Sequence, residues 1–318
     1  MTRLSVSLLV ALILALPLSL LAGKVWIDPF DPHVRNAALI VTELRLPRAL
    51  LALILGAGLG GAGAAMQGYL RNPLADPGLF GIAPTAALGA VLSLFFGLTA
   101  AWALPAFALI GAGGAMALLG TIAGREAGVG LFTLAGMMIA SLAGALTSLA
   151  ISLSPTPFAM SEIVTWLMGA LADRSWREVW IAAPLTLAGL GFLALAARGL
   201  DALTLGEAAA RSLGVEPRRM QGLIIAGIGL TVGASVAVAG IIGFVGLMVP
   251  HLVRPFTDRR PSSLLLPSAL AGALLLLVAD CLCRILPTVS ELRLGIALSL
   301  VGAPFFLHLL LKLRKGLA

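Results

Sequence analysis

An all-α protein that crosses a membrane about ten times is the fold class this sequence predicts, on three observations. Of its 318 residues, 60% are hydrophobic and only 11% are charged. The mean hydropathy of +1.07 lies far outside the range of soluble globular chains. Apolar runs close to the roughly 20 residues needed to span a bilayer recur from end to end, with short polar breaks between them. Such a chain has no room for a large soluble domain.

The first element is Met1 to Gly23, one basic residue followed by an apolar run of about 18 residues, long for the core of a secretory signal. It is expected to be retained as a first helix. Breaks at Pro, Gly and charge clusters place the ten spans at about 4–23, 47–67, 82–98, 102–122, 130–152, 178–197, 221–240, 243–257, 263–283 and 293–312. Between the fifth and sixth lies Ser161 to Ala172, too short to cross and expected to lie at or dip into one surface. Many of the 37 glycines fall inside spans, Gly56, Gly58, Gly60, Gly61 and Gly63 among them, where small residues allow helices to approach closely. The chain is read as one membrane domain of two five-span halves, 1–160 and 161–318. An odd number of spans per half makes these inverted repeats, with a path between them near the midplane.

The net charge of +7 comes from basic residues placed singly or in pairs between apolar runs, which excludes a nucleic-acid stripe and points to topology. With a cytoplasmic N-terminus, thirteen of the 21 Lys and Arg residues fall on the cytoplasmic side and eight opposite, as the positive-inside rule requires. The C-terminus is then cytoplasmic too. Cys281 and Cys283 are the only cysteines; two apart on a helix, they suit neither a disulfide nor a zinc site.

No G-x-x-x-x-G-K-[ST] phosphate loop occurs, so any ATP must be used by another chain. The spans are nearly free of ionisable groups, with Asp280 and Glu291 near helix ends, which weakens the alternative of an ion-coupled carrier. Neither a nucleophile nor a metal constellation suggests catalysis. The segment Leu205 to Arg219 reads as a short helix stopped by Gly214, with Glu207 and Arg211 one turn apart. On the residues alone, loop capping and docking into a soluble partner stay open.

Three stretches together resemble the FecCD-type permeases, importers of cobalamin, haem and ferric siderophores. They are Leu44 to Arg48 with Met66 to Gly78, then Leu205 to Val215, then Gly240 to His251 with Leu266 to Ala273 and Gly302 to Phe306. The resemblance implies a homodimer of ten-helix permeases in the bacterial inner membrane. Two cytoplasmic ATPases, where ATP and Mg act, and a periplasmic binding protein complete it; the permease binds no cofactor or metal of its own. It also implies that Gly206, Glu207, Ala210, Arg211, Leu213 and Gly214 touch the ATPase. Arg45, Arg48 and Arg284 match the family's binding-protein dock, with lipid-headgroup anchoring as the other reading. Asn72, Leu74, Leu131 and Phe132 match its cytoplasmic gate, against simple helix-end packing. The fifth span would line the path with Met137, Met138, Ser141 and Leu142. A wall with so few polar groups suits a large, partly apolar cargo, haem first and then ferric siderophore or cobalamin. Two departures stand out: Asp258-Arg-Arg260 replaces the usual Asp-His-Arg, and Glu291-Leu-Arg293 the usual Glu-Leu-Pro.

Overall fold

The computed structural model describes residues 3–26, 36–122 and 129–315, so Arg35 and Arg125 of the charge count lie outside it. Among these residues the chain forms twelve α-helices: α1 (Arg3–Leu21), α2 (Ala37–Tyr69), α3 (Ile82–Phe95), α4 (Ala103–Ile122), α5 (Val129–Ser152), α6 (Pro157–Leu167), α7 (Trp176–Leu203), α8 (Glu207–Ser212), α9 (Pro217–Ala239), α10 (Val245–Val253), α11 (Pro261–Ile285) and α12 (Leu294–Lys315). Seven of them, α1, α2, α4, α5, α7, α9 and α11, are long and apolar enough to cross a membrane. Two more, α3 and the Leu294–Leu309 part of α12, are apolar but shorter.

The expected eighth span, 243–257, becomes a helix of only nine residues, α10. At 1.5 Å per residue it covers about 14 Å, less than half of a bilayer core. Its start is set by Phe244, which takes a left-handed φ of 66° after the glycine-rich break at 240–243. The expected surface segment 161–172 is helical as α6, which begins earlier, at Pro157, where the Thr156 hydroxyl accepts from the Ala159 amide. Non-helical backbone after α6 and at the break is satisfied within the protein. The Ala170 amide donates to the Ala239 carbonyl at 2.8 Å, and the Gly295 amide to the Gly169 carbonyl at 3.2 Å.

α2 and α9 sit at the centre, buried on nearly every face, while α1, α4 and α5 leave broad apolar faces exposed. The centre is tight because its contacts are backbone to backbone. A Cβ built on Gly63 of α2 would lie 1.9 Å from the Gly246 carbonyl oxygen of α10, and one on Gly56 would lie 2.3 Å from the Gly272 carbonyl oxygen of α11. In lipid, where apolar burial gives no drive for association, such close approach supplies the dispersion that holds helices together. Polar cross-links add register. Gln67 Nε2 donates to the Leu247 carbonyl at 3.2 Å, and its Oε1 accepts from Arg254 at 2.9 Å. Asp201, near the end of α7, caps α11 by accepting from the Ser262 amide and hydroxyl.

Candidate functional site

At one end of the bundle the three arginines expected to dock a partner turn inward. Arg48 Nε lies 3.0 Å from both oxygens of Asp280, and its Nη2 lies 2.9 Å from Oδ1. That Nη2 is also 2.8 Å from Glu291, and Arg284 Nε lies 3.2 Å from Asp280 on the preceding turn. The Arg48 and Asp280 side chains are 12% and 1% exposed, and that of Arg284 is 5% exposed. Two cations and two anions thus close a nearly neutral cluster that pins α2 to α11 and to the loop before α12.

Arg45 has a different task. Its guanidinium donates to the carbonyls of Leu20, Leu21 and Val25, and Arg284 donates to that of Ala22. Those of Leu20, Leu21 and Ala22 are orphan acceptors at the C-terminus of α1, the negative end of its dipole, and Val25 lies in the turn that follows. Lys24 ties the same corner to the 288–289 backbone. Arg45→Met should therefore lower the melting temperature of the purified chain more than Lys24→Met does, since hydrogen bonds from a charged donor contribute about 1.5–3 kcal/mol each.

A cavity of about 320 Å³ opens among Lys24, Arg45, Arg48, Asp173, Arg174, Arg284 and Glu291. Burial lowers the Arg174 pKa, opposed by Glu178 and Asp173 and helped by Arg293 and Arg177. Arg293, where the sequence resemblance led to the expectation of a proline, lines a neighbouring cavity together with Arg174 and Glu162.

At the opposite end lies α8, a helix of six residues. Gly206 and Gly214 bracket it with φ of 100° and 84°, backbone that L side chains rarely adopt. Ala210 is buried against the body, while Arg211 and the flanking Leu205 and Leu213 are exposed and Glu207 is half-buried. Two exposed leucines flanking a short helix make a surface suited to a groove in another protein.

The expected gate residues divide. Asn72 is exposed and closes the turn after α2, its Oδ1 accepting from the Leu74 amide at 2.9 Å, with Leu74 half-buried beside it. Leu131 is exposed on the first turns of α5 and shares that face with Met137, Met138, Ser141 and Leu142. Phe132, by contrast, is fully buried. It stacks edge-on against Phe80 and Tyr69, with ring centroids 4.5 and 5.8 Å away. Sequence reasoning missed this aromatic cluster; its signal was Tyr69, the only tyrosine in the chain. It also missed that Asp280 and Glu291 are the partners of the arginines, although a carboxylate and an arginine in apolar runs are the usual sign of such pairing.

A smaller cavity of about 200 Å³ sits at the break before α10, lined by Leu59, Asp76, Pro77, Ile242, Phe244 and Gly246, among others. Asp76 caps the 3₁₀ turn Pro77–Phe80, accepting from the Gly78 amide at 2.7 Å. Burial nonetheless raises its pKa above the ordinary carboxylate range. Among the described residues no cluster of His, Cys, Asp and Glu is arranged to hold a metal ion.

Comparison with known proteins follows the whole chain. Vitamin B12 import system permease protein BtuC of Escherichia coli O9:H4 is 38% identical over 311 residues, 96% of this chain and 94% of that protein. BtuC of Salmonella paratyphi A is 39% identical over 314 residues, 97% and 94% of the two chains. A solved metal-chelate type ABC transporter in an inward-facing conformation superposes with a TM-score of 0.90 at 32% identity, covering 98% of this chain and 99% of its own. PsaBC of Streptococcus pneumoniae shares the fold at a TM-score of 0.57 and 19% identity, over 82% of this chain and 89% of that one. The FecCD transport family profile matches residues 9–312, and the chain is a member of that family.

Proposed function

We propose that this chain is the membrane permease of an ATP-driven, binding-protein-dependent importer in the bacterial inner membrane, with cobalamin as its cargo. The observation that carries the reading is likeness over nearly the whole chain to permeases named for vitamin B12 import. Haem, favoured on the apolar character of α5 alone, takes second place, because that character suits any large, partly apolar cargo. A ferric chelate is the alternative supported by the description of the solved metal-chelate transporter.

The chain carries no phosphate loop, and hydrolysis belongs to a separate ATPase dimer, with ATP and Mg bound there. In this reading the α8 end is cytoplasmic and receives the ATPase through Gly206, Glu207, Ala210, Arg211, Leu213 and Gly214. The arginine end is periplasmic and meets the delivering protein. A second copy of the chain covers the exposed face of α5, so that Leu131, Met137, Met138, Ser141 and Leu142 line a shared path, with Asn72 and Leu74 at its cytoplasmic mouth. Arg45 has the most accessible guanidinium of the three arginines, while Arg48 and Arg284 act in docking mainly by holding that surface in shape. An ion-coupled carrier is disfavoured because, among the described residues, the buried Asp280 carboxylate of α11 is already ion-paired with Arg48 and Arg284.

The test is to copurify the chain with its ATPase and measure ATP hydrolysis with delivering proteins loaded with cobalamin, haem or a ferric siderophore. Cobalamin should stimulate most. Stimulation by haem or siderophore alone would reassign the cargo, and the absence of any copurifying ATPase would remove the importer reading.

A further inference from the structure

Three elements that should move during transport converge on one side chain. Tyr69 ends α2 and is 3% exposed. Its ring packs edge-on against Phe132 in the first turn of α5 at 5.8 Å, and against Phe80 at 6.5 Å. Phe80 is in turn held by α5, since a Cβ on Gly136 would lie 2.8 Å from the Phe80 Cα. The Tyr69 hydroxyl is hydrogen-bonded to Gln221, in the first turns of α9 directly after α8.

One face of the tyrosine therefore reads the position of the start of α9, which follows α8 after the short link 213–216. The other face sets the position of Phe132, and with it Leu131, the adjacent exposed residue on the path face of α5. The contacts are of different kinds. Edge-on aromatic packing is tight and angle-dependent, and a buried hydroxyl without its partner is costly, so neither side can shift without the other responding. Polar and apolar ends on one rigid ring with two torsions make a short mechanical link, where a chain of flexible side chains would dissipate the motion.

We propose that Tyr69 is a positioning residue that transmits movement of the ATPase-facing helix α8 to the cytoplasmic end of the path at α5. This rests on the importer reading given above. Two-state coupling of this kind needs two arrangements of the link, and the Tyr69–Phe80–Phe132 stack together with the Gln221 bond defines one of them.

The experiment uses the full chain copurified with its ATPase in lipid nanodiscs and needs no cargo. Leu134→Cys, exposed on α5 one turn beyond Leu131, is reacted with a small water-soluble maleimide, and labelling at Cys281 and Cys283 is subtracted using the parent chain. In the Tyr69 chain the labelling rate should change about fivefold or more between nucleotide-free and vanadate-trapped complexes, at the lower end of ordinary coupling between sites. Tyr69→Phe keeps the ring and loses the hydroxyl, and should shrink that change while hydrolysis continues. Tyr69→Leu should nearly abolish it, again with hydrolysis retained. Gln221→Met should match Tyr69→Phe, which keeps the test decisive should Tyr69→Leu fail to assemble. A full nucleotide response in both Tyr69→Phe and Gln221→Met would overturn the inference. A complex without any ATP hydrolysis in the Tyr69 background would instead overturn the importer reading beneath it.

Discussion

Asp280→Ala should prevent recovery of folded chain from the membrane, or leave it markedly destabilised, with a loss of about 3–5 kcal/mol. The carboxylate is 1% exposed and is the shared counter-charge of two guanidiniums, Arg48 in bidentate contact and Arg284 at 3.2 Å. Removing it leaves both cations desolvated, with Glu291 alone to compensate. The cost lies in the uncompensated charges more than in the lost attraction, because removing one partner of a buried pair strands the other. Asp280→Asn should be intermediate, since an amide keeps the shape and one acceptor but no charge. Adding Arg284→Met to Asp280→Asn should then restore part of the loss, a non-additivity that identifies the cluster as one unit. Detergent-solubilised yield and thermal unfolding of the purified chain measure all three. For the same reason a reversal at Arg48 cannot report docking alone, as Arg48→Glu would set three carboxylates together. Arg45 is the position where docking can be probed with less damage.

Gly63→Val is the second large effect expected. The Cβ alone would lie 1.9 Å from the Gly246 carbonyl oxygen and 2.6 Å from the Gly246 Cα, and all of these neighbours are backbone. No rotamer change relieves such a contact. α2 and α10 would have to separate, breaking the Gln67 bonds to Leu247 and Arg254 that fix their register. Overpacking a core usually costs about 1–3 kcal/mol when side chains can adjust. Here they cannot, so Gly63→Val should give little or no monodisperse protein by size-exclusion chromatography. Even Gly63→Ala should be destabilising. The control is Gly191→Ala on the exposed face of α7, where a Cβ meets nothing within 4 Å. It should be neutral or stabilising by up to about 1 kcal/mol through helix propensity.

What the sequence conveyed follows from the kind of signal each feature leaves. Hydropathy is a property of long runs, so the expected spans other than the eighth fall on helices, seven of them long and apolar enough to cross, and the short segment before the sixth is found as α6. Position 243–257 misled because its composition is as apolar as a crossing helix. Only the backbone of Gly240 and Phe244, both at positive φ, shows that the chain leaves the helical conformation before a half-length helix begins. The short helix α8 was legible from Gly206, Gly214 and the alanines between them, which state their conformational purpose locally. The arginines were not legible in the same way. Arg45, Arg48 and Arg284 look alike in sequence, yet Arg45 and Arg48 meet Leu20, Asp280 and Glu291 far away along the chain, and only Arg284 has a partner, Asp280, one turn away. Leu131 and Phe132 show the same limit at the smallest scale. Adjacent and similar, they point about 100° apart around α5, one exposed and one enclosed by Tyr69 and Phe80.

The central claim, an importer permease driven by another chain's ATP, is tested most directly by uptake into proteoliposomes. The chain is reconstituted with its ATPase, and radiolabelled cobalamin is offered on its delivering protein at the arginine end. Uptake should require Mg-ATP on the α8 side, should stop when the ATPase or the delivering protein is omitted, and should ignore an imposed proton or sodium gradient. Uptake driven by such a gradient in vesicles that contain only this chain would contradict the account.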